Sequence, residues 1–264
     1  MRAAPLKALG RYARRGFTLI ELMIALLVGL FLLGALLTIV QANKQVFGNQ
    51  NLLAQVQDNE RMAMTMITDV IQSAGYFSNP IQNTLTLTFQ PSGAFTSGQA
   101  ITGTYSAAPP GDTISVRYWT DTAAVPSDVN ILNCSGIGNT TGGQLMMVNT
   151  FAINASGQLV CTMNGTPYTL VGDGAKLTVT NMSVLYGVKD NVAAAGNNVD
   201  TYMNAAQVTA AGGGPPLGDW NNVISVLITL TFTNPLFGPS DPKQPPTVSI
   251  QRVIGLMNQT GPIL

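Results

Sequence analysis

The pattern of hydrophobic and polar positions changes character twice along the chain. From Phe17 to Val40 it is almost unbroken: these twenty-four residues hold one ionisable side chain, Glu21, close to their start. At a rise of about 1.5 Å per residue, a helix over that stretch is about 36 Å long, enough to cross a hydrocarbon layer about 30 Å thick. From Leu52 the pattern becomes amphipathic. Leu52, Leu53, Val56, Ala63, Met66, Ile67, Val70 and Ala74 recur at three- and four-residue steps, while Gln55, Gln57, Asp58, Glu60 and Arg61 fill the other face. Met62, Met64 and Met66 alternate, so they cannot all share the apolar face and read as ordinary core and surface methionines. Gly75 suits a left-handed cap, and Asn79-Pro80 does not continue a helix. A single helix from Phe17 to Ala74 is about 87 Å long.

Beyond Gly75 the period shortens to that of strands. Leu85, Leu87 and Phe89 alternate with threonines, and Ile114, Val116 and Tyr118 alternate with Ser115 and Arg117. Val223 to Phe232 is a continuous aliphatic and β-branched run. Leu145 to Ile153 and Gln158 to Thr162 flank Asn154-Ala155-Ser156-Gly157, which predicts a hairpin that brings Cys161 into a sheet. Lys176 to Val188 and Val248 to Met257 add two strands, and Ala193 to Gly214 and Asn234 to Pro246 read as loops. The fold class that results is α+β: a long N-terminal helix packed on an antiparallel β-rich domain with long loops.

Charge adds a direction to this plan. Arg2, Lys7, Arg11, Arg14 and Arg15 all precede Phe17 without an accompanying acid, leaving seven basic residues against twelve acidic ones in the remainder. The bias places the N-terminus in the cytoplasm and everything after Val40 outside. A body with that excess of acid has no footprint for nucleic acid. Histidine is absent from all 264 residues, which removes the commonest general base and transition-metal ligand and argues against an enzyme. The two cysteines, Cys134 and Cys161, belong to no C-x-x-C pair. A disulfide is the preferred reading, with two buried free thiols as the alternative. A structural disulfide requires an oxidising compartment, in keeping with export.

Three readings compete for the N-terminal segment. A secretory signal has small residues to offer at Val40-Gln41-Ala42, but its apolar region is usually about 7–15 residues long. A plain membrane anchor explains the length and leaves Glu21 as an unexplained penalty. The third reading uses the carboxylate. Arg14-Arg15-Gly16-Phe17-Thr18-Leu19-Ile20-Glu21, with the apolar run that follows, resembles the class III signal of type IV pilins and type II secretion pseudopilins. The resemblance implies that a prepilin peptidase removes residues 1–16, cutting between Gly16 and Phe17, and methylates the new amine of Phe17. It also implies that Glu21 meets the Phe17 ammonium of a neighbouring subunit when apolar helices bundle. Breaking such a buried pair by removing one partner costs roughly 3–5 kcal/mol. Major pilins of the family carry a proline about where Thr38 stands here; without it, local melting of the helix is not implied for this chain.

Later segments narrow the resemblance. Met66 to Phe77, MITDVIQSAGYF, and Leu185 to Val208, followed by Trp220 and the run to Leu230, resemble the PilW minor pilins; the J-type minor pseudopilins of type II secretion are the nearest alternative. Membership implies a domain plan of leader 1–16, helix 17–74 with 17–40 in the membrane, and a periplasmic β-rich domain 75–264. It implies a subunit that co-assembles with other minor pilins to prime polymerisation or to form the pilus tip. Implied partners are the major pilin, a tip adhesin of the PilY type and the inner-membrane assembly platform, with downstream roles in twitching, adhesion or DNA uptake. The loop holding Asp190 and Asp200 has aspartates in relatives, but its asparagines fall short of a calcium loop and it reads as solvated. No cofactor or metal is expected. Tyr186, Tyr202 and Trp220 read as sheet core or as an interface with a sister subunit. The remote alternatives are a membrane-tethered periplasmic enzyme, poorly served by scattered carboxylates, and a membrane-anchored or secreted periplasmic binding protein.

Overall fold

The computed structural model describes residues 16–78, 84–175, 177–189, 198–211, 220–238 and 244–260. The chain divides into two compact units, Met1–Asn51 and Leu52–Leu264. Helix α1, Leu19–Gln72, runs unbroken through Gly29, Gly34 and Thr38, and the Thr38 hydroxyl donates to the Ala35 carbonyl. Its first part is apolar and exposed: Phe31 is 78% exposed and Leu33 61%. Among the described residues α1 is the helix long and apolar enough to cross a membrane.

In the second unit the continuation of α1 buries Val56, Glu60, Ala63, Met64, Ile67, Val70 and Ile71. These positions advance by three, four and one, a stripe about one residue off the sequence expectation. Leu53 is exposed, whereas Met64 and Ile71 enter the core. Glu60, expected on the polar face, lies on the buried one because it stands one turn after Val56 and one turn before Met64. Beyond Gln72 the chain turns through Gly75, whose φ of 75° fits the expected left-handed position. Its N–H donates to the Arg117 carbonyl, which fastens the helix end to a strand.

Two antiparallel sheets follow. The first is a meander of β1 (Ile101–Thr104), β2 (Thr113–Asp121), β3 (Gln144–Ile153), β4 (Leu159–Met163) and β5 (Thr166–Val171) in chain order. The second has the order β7 (Thr201–Met203), β6 (Val179–Val188), β8 (Val223–Thr233) and β9 (Thr247–Gly255). Asn154 shapes the β3–β4 hairpin as expected, its Oδ1 accepting from the N–H groups of Ser156 and Gln158. Asp112 splices the sheets: its N–H donates to the Met182 carbonyl, and its Oδ2 accepts from Val184 N–H. Gly111 (φ 93°) fits there because a Cβ would run into the Met182 carbonyl oxygen. One core unites α1 residues such as Ile67 and Ile71 with Ile114, Phe151, Tyr186, Val226 and Leu230 from both sheets.

Two sequence expectations are corrected. Leu85 to Phe89 is not a strand: α2 (Leu85–Thr88) is a helical turn whose Leu87 N–H donates to Thr84 Oγ1. Phe89 is drawn inward, its ring lying 5.3 Å from the Arg117 guanidinium. The span from Ala193 to Gly214 is not all loop, since it holds β7 and helix α3 (Ala205–Ala211), which buries Ala205 and Val208.

Candidate assembly site

Helix α1 starts on a reciprocal cap. Glu21 N–H donates to Thr18 Oγ1 (3.3 Å), while Glu21 Oε2 accepts from both the Thr18 N–H and the Thr18 hydroxyl (3.2 Å each). This Thr-x-x-Glu arrangement satisfies N–H groups that a helix start otherwise leaves open, and the carboxylate sits in the first turn, where the helix dipole favours negative charge. The sequence reading assigned Glu21 to a neighbour's amine and overlooked its local partner; the three-residue spacing from Thr18 was the available signal. Gly16 and Phe17 precede the helix and are exposed, Phe17 at 88%. Residues 1–15 of the expected leader, with all five of its basic side chains, lie outside the described residues. Within one chain Glu21 engages Thr18 and Phe17 contributes no bond to it; the expected charge pair is one between chains.

Cys134 and Cys161 are joined in a disulfide, with a Cα–Cα distance of 6.2 Å. Cys161 lies on β4 opposite Phe151 and Tyr168, and Cys134 lies in the loop between β2 and β3. That loop is also held from beneath. Asn149 Oδ1 accepts from Cys134 N–H (3.1 Å), Asn149 Nδ2 donates to Tyr118 Oη (3.2 Å), and the Tyr118 hydroxyl donates to the Leu132 carbonyl (2.8 Å). The disulfide therefore fastens a loop that β2 and β3 already grip.

Besides Asp112 and Lys189, the described residues bury three charged side chains that were not singled out as sites from the sequence, Arg117, Asp128 and Glu60. Arg117, 0% exposed, donates to the carbonyls of Gln99 (2.7 Å), Gln90 (2.7 Å), Phe89 (3.3 Å) and Thr96 (2.9 Å) and lies 4.6 Å from the Phe95 ring centroid. Burial pushes its pKa down. Asp128 accepts from the Tyr76 hydroxyl (2.7 Å), the Ser78 hydroxyl (2.5 Å) and Asp121 N–H (2.7 Å), tying the exit of α1 to β2. Burial raises the pKa of Glu60, whose Oε1 has no hydrogen-bond partner among the described residues.

Of the aromatic trio, Tyr186 is fully buried and meets Trp220 edge to face at 4.8 Å, while Tyr202 is 40% exposed. Asp190 and most of the loop read as solvated lie outside the described residues; Asp200 N–H donates to the Val188 carbonyl as β7 begins. No cluster of potential metal ligands occurs among the described residues.

Comparison with known families finds two matches. Residues 11–37 match the prokaryotic N-terminal methylation motif, and residues 138–253 match the type IV pilus-assembly protein W family. The first covers the start of α1 with Glu21; the second begins between the cysteines and extends into β9. Together they support a PilW-like type IV minor pilin. No match was found among curated proteins or solved structures.

Proposed function

We propose that this PilW-like type IV pilin is a minor subunit that is processed at Gly16–Phe17, held in the inner membrane by residues 17–40, and incorporated beside other minor pilins where a pilus is primed or tipped. Its domain plan is a leader of residues 1–16, a helix over 17–74 and a periplasmic β-rich domain over 75–264. The observation that carries the proposal is Glu21: one carboxylate at the head of an exposed apolar helix, inside the segment that matches the methylation motif. Its Oε2 is occupied by Thr18, so the carboxylate waits near the membrane surface with a local partner. In a bundle of helices, the free ammonium of a neighbour's Phe17 supplies a charge that Thr18 cannot.

The bonded Cys134–Cys161 pair supports a periplasmic position for the domain. The role is structural: apolar helices pack side by side, and the domain selects neighbours. Its partners on this reading are other minor pilins, the major pilin, a tip adhesin of the PilY type and the membrane assembly platform. Terminal analysis of the mature protein is expected to find methylated Phe17. Glu21→Ala is expected to leave membrane insertion intact and to lower recovery in assembled pili at least about tenfold, in line with loss of a partner to a buried charge. Retention of residues 1–16, or normal incorporation of Glu21→Ala, overturns the proposal.

A further inference from the structure

The sheets have four edges, and they are unequally protected. β1 is four residues long, with α3 packed against it. β7 has three residues. β5 carries Pro167, and its pairing with β4 is interrupted by a register shift between Leu159 and Val160. Short strands, covering helices, prolines and bulges are the devices that stop an edge from recruiting another strand. Among the described residues β9 has none of these; its one inward-facing charge, Arg252, a further device of that kind, is turned to α1. It runs nine residues, Thr247–Gly255, in unshifted register with β8.

The phase of the ladder identifies which groups are left open. At one end Leu256 N–H donates to the Ile224 carbonyl, and at the other Asn234 N–H donates to the Pro246 carbonyl. Hydrogen-bonded pairs alternate in an antiparallel ladder, so even-numbered residues of β9 face β8 with their backbone groups. Thr247, Ser249, Gln251 and Val253 turn their N–H and C=O groups outward, where no described residue pairs with them. The side chains fit the same picture. Those of the odd positions are exposed, Val253 at 57%, and on the inner face Val248 and Ile250 are only half-buried, as expected where the next strand is missing.

We propose that the outer edge of β9 is the docking site for an extended segment of a different subunit, which adds to the second sheet as a fifth strand. The occupant is a stretch of roughly eight residues with aliphatic side chains at alternate positions, which continue the face of Val248, Ile250 and Ile254 while its backbone fills the open groups. A second copy of β9 does not meet the geometry. Arg252 Nη1 donates to the Met64 carbonyl (3.4 Å) and Thr68 Oγ1 (3.2 Å), and Asn258 Nδ2 donates to the Gly75 carbonyl. β9 therefore advances in the same direction as the turns of α1 beside it. An antiparallel pair of β9 strands would reverse α1 in one copy, which two chains anchored through α1 in one membrane cannot do. This exclusion rests on the anchored pilin reading above; the open edge does not.

The test uses full-length mature protein in detergent micelles and the assembly co-purified from membranes through an affinity tag on it. Amide exchange at Thr247, Ser249, Gln251 and Val253 is expected to slow at least tenfold on assembly, while exchange along β5 stays unchanged. Gln251→Pro removes one outward N–H and leaves the β8 ladder intact. It is expected to insert, form its disulfide and yet be recovered in the assembly at least tenfold less than Gln251→Ala, which keeps the N–H and loses only the side-chain bond to Thr229. Unchanged exchange on assembly, or equal recovery of the two variants, overturns the docking edge. If Glu21→Ala still fails to assemble in that case, the pilin reading stands without it. Self-association of the purified protein through β9 in micelles overturns the choice of occupant.

Discussion

Two stretches of one helix treat the same kind of side chain in opposite ways. In the first unit Leu33 and Phe31 are largely exposed, whereas in the second Ile67 and Ile71 are wholly buried. Side-chain type does not separate Leu33 from Ile67; the difference is whether the chain itself supplies a covering surface. Charge follows the same division. Arg117 is enclosed by four backbone carbonyls of its own chain, while Glu21 meets, among the described residues, only the Thr18 cap, through Oε2. Apart from the β9 edge the second unit covers its own core, whereas the apolar side chains of the first have no cover from the described residues.

That contrast can be broken most forcefully at Arg117. Arg117→Met leaves the four carbonyls without their donor and is expected to cost at least about 4 kcal/mol, since each bond to a charged group is worth roughly 1.5–3 kcal/mol. Urea unfolding of the domain measures it, and membrane insertion of residues 17–40 is expected to be unaffected; a loss under about 1 kcal/mol would mean that the enclosure contributes little. A matched pair sharpens the comparison further. Ile67→Ala is expected to destabilise the domain by about 2–5 kcal/mol, and Leu33→Ala, the same truncation on the uncovered stretch, by under about 0.5 kcal/mol. Equal losses would erase the distinction between the units.

The smallest effect is one of pH. Burial first, and then the hydrogen bond to Asp128 and its charge, push the Tyr76 pKa from 10.0 up to about 12, partly opposed by Ser78. A folded-state value raised above the unfolded one contributes stability that is fully present below pH 10 and is lost as the pH rises from 10 toward 12. Tyr118 and Tyr186, raised chiefly by burial, act in the same sense. Because Tyr76 is half-buried and screened, its share is expected to stay below about 1 kcal/mol. The melting temperature is expected to fall across this window, less steeply in Tyr76→Phe; identical slopes would remove Tyr76 from the account.

Much of this architecture was legible in the chain, for reasons that differ by element. The apolar helix announces itself by length, and β2, β3, β8 and β9 by alternation or β-branched runs, which report burial directly. Leu85 to Phe89 misled because alternation over so few residues also suits a single helical turn; Thr84 supplies the cap, and a charge far along the chain, Arg117, recruits Phe89. β5 was hidden by Pro167, tolerated because the strand lies at an edge. Glu60 was set on the polar face by its charge, although its spacing from Val56 and Met64 argued otherwise. At the N-terminus, Phe17 and Glu21 stood out, but the Thr18 cap was missed because the carboxylate had already been given a remote partner.

The Thr18–Glu21 cap has a kinetic consequence. Only one carboxylate oxygen is committed to it among the described residues, so on the proposed pairing an arriving cation can use the other without first prising anything apart. On the proposed pairing, capture and release at this end of the molecule proceed by simple addition and departure, with no unwinding step to slow either direction.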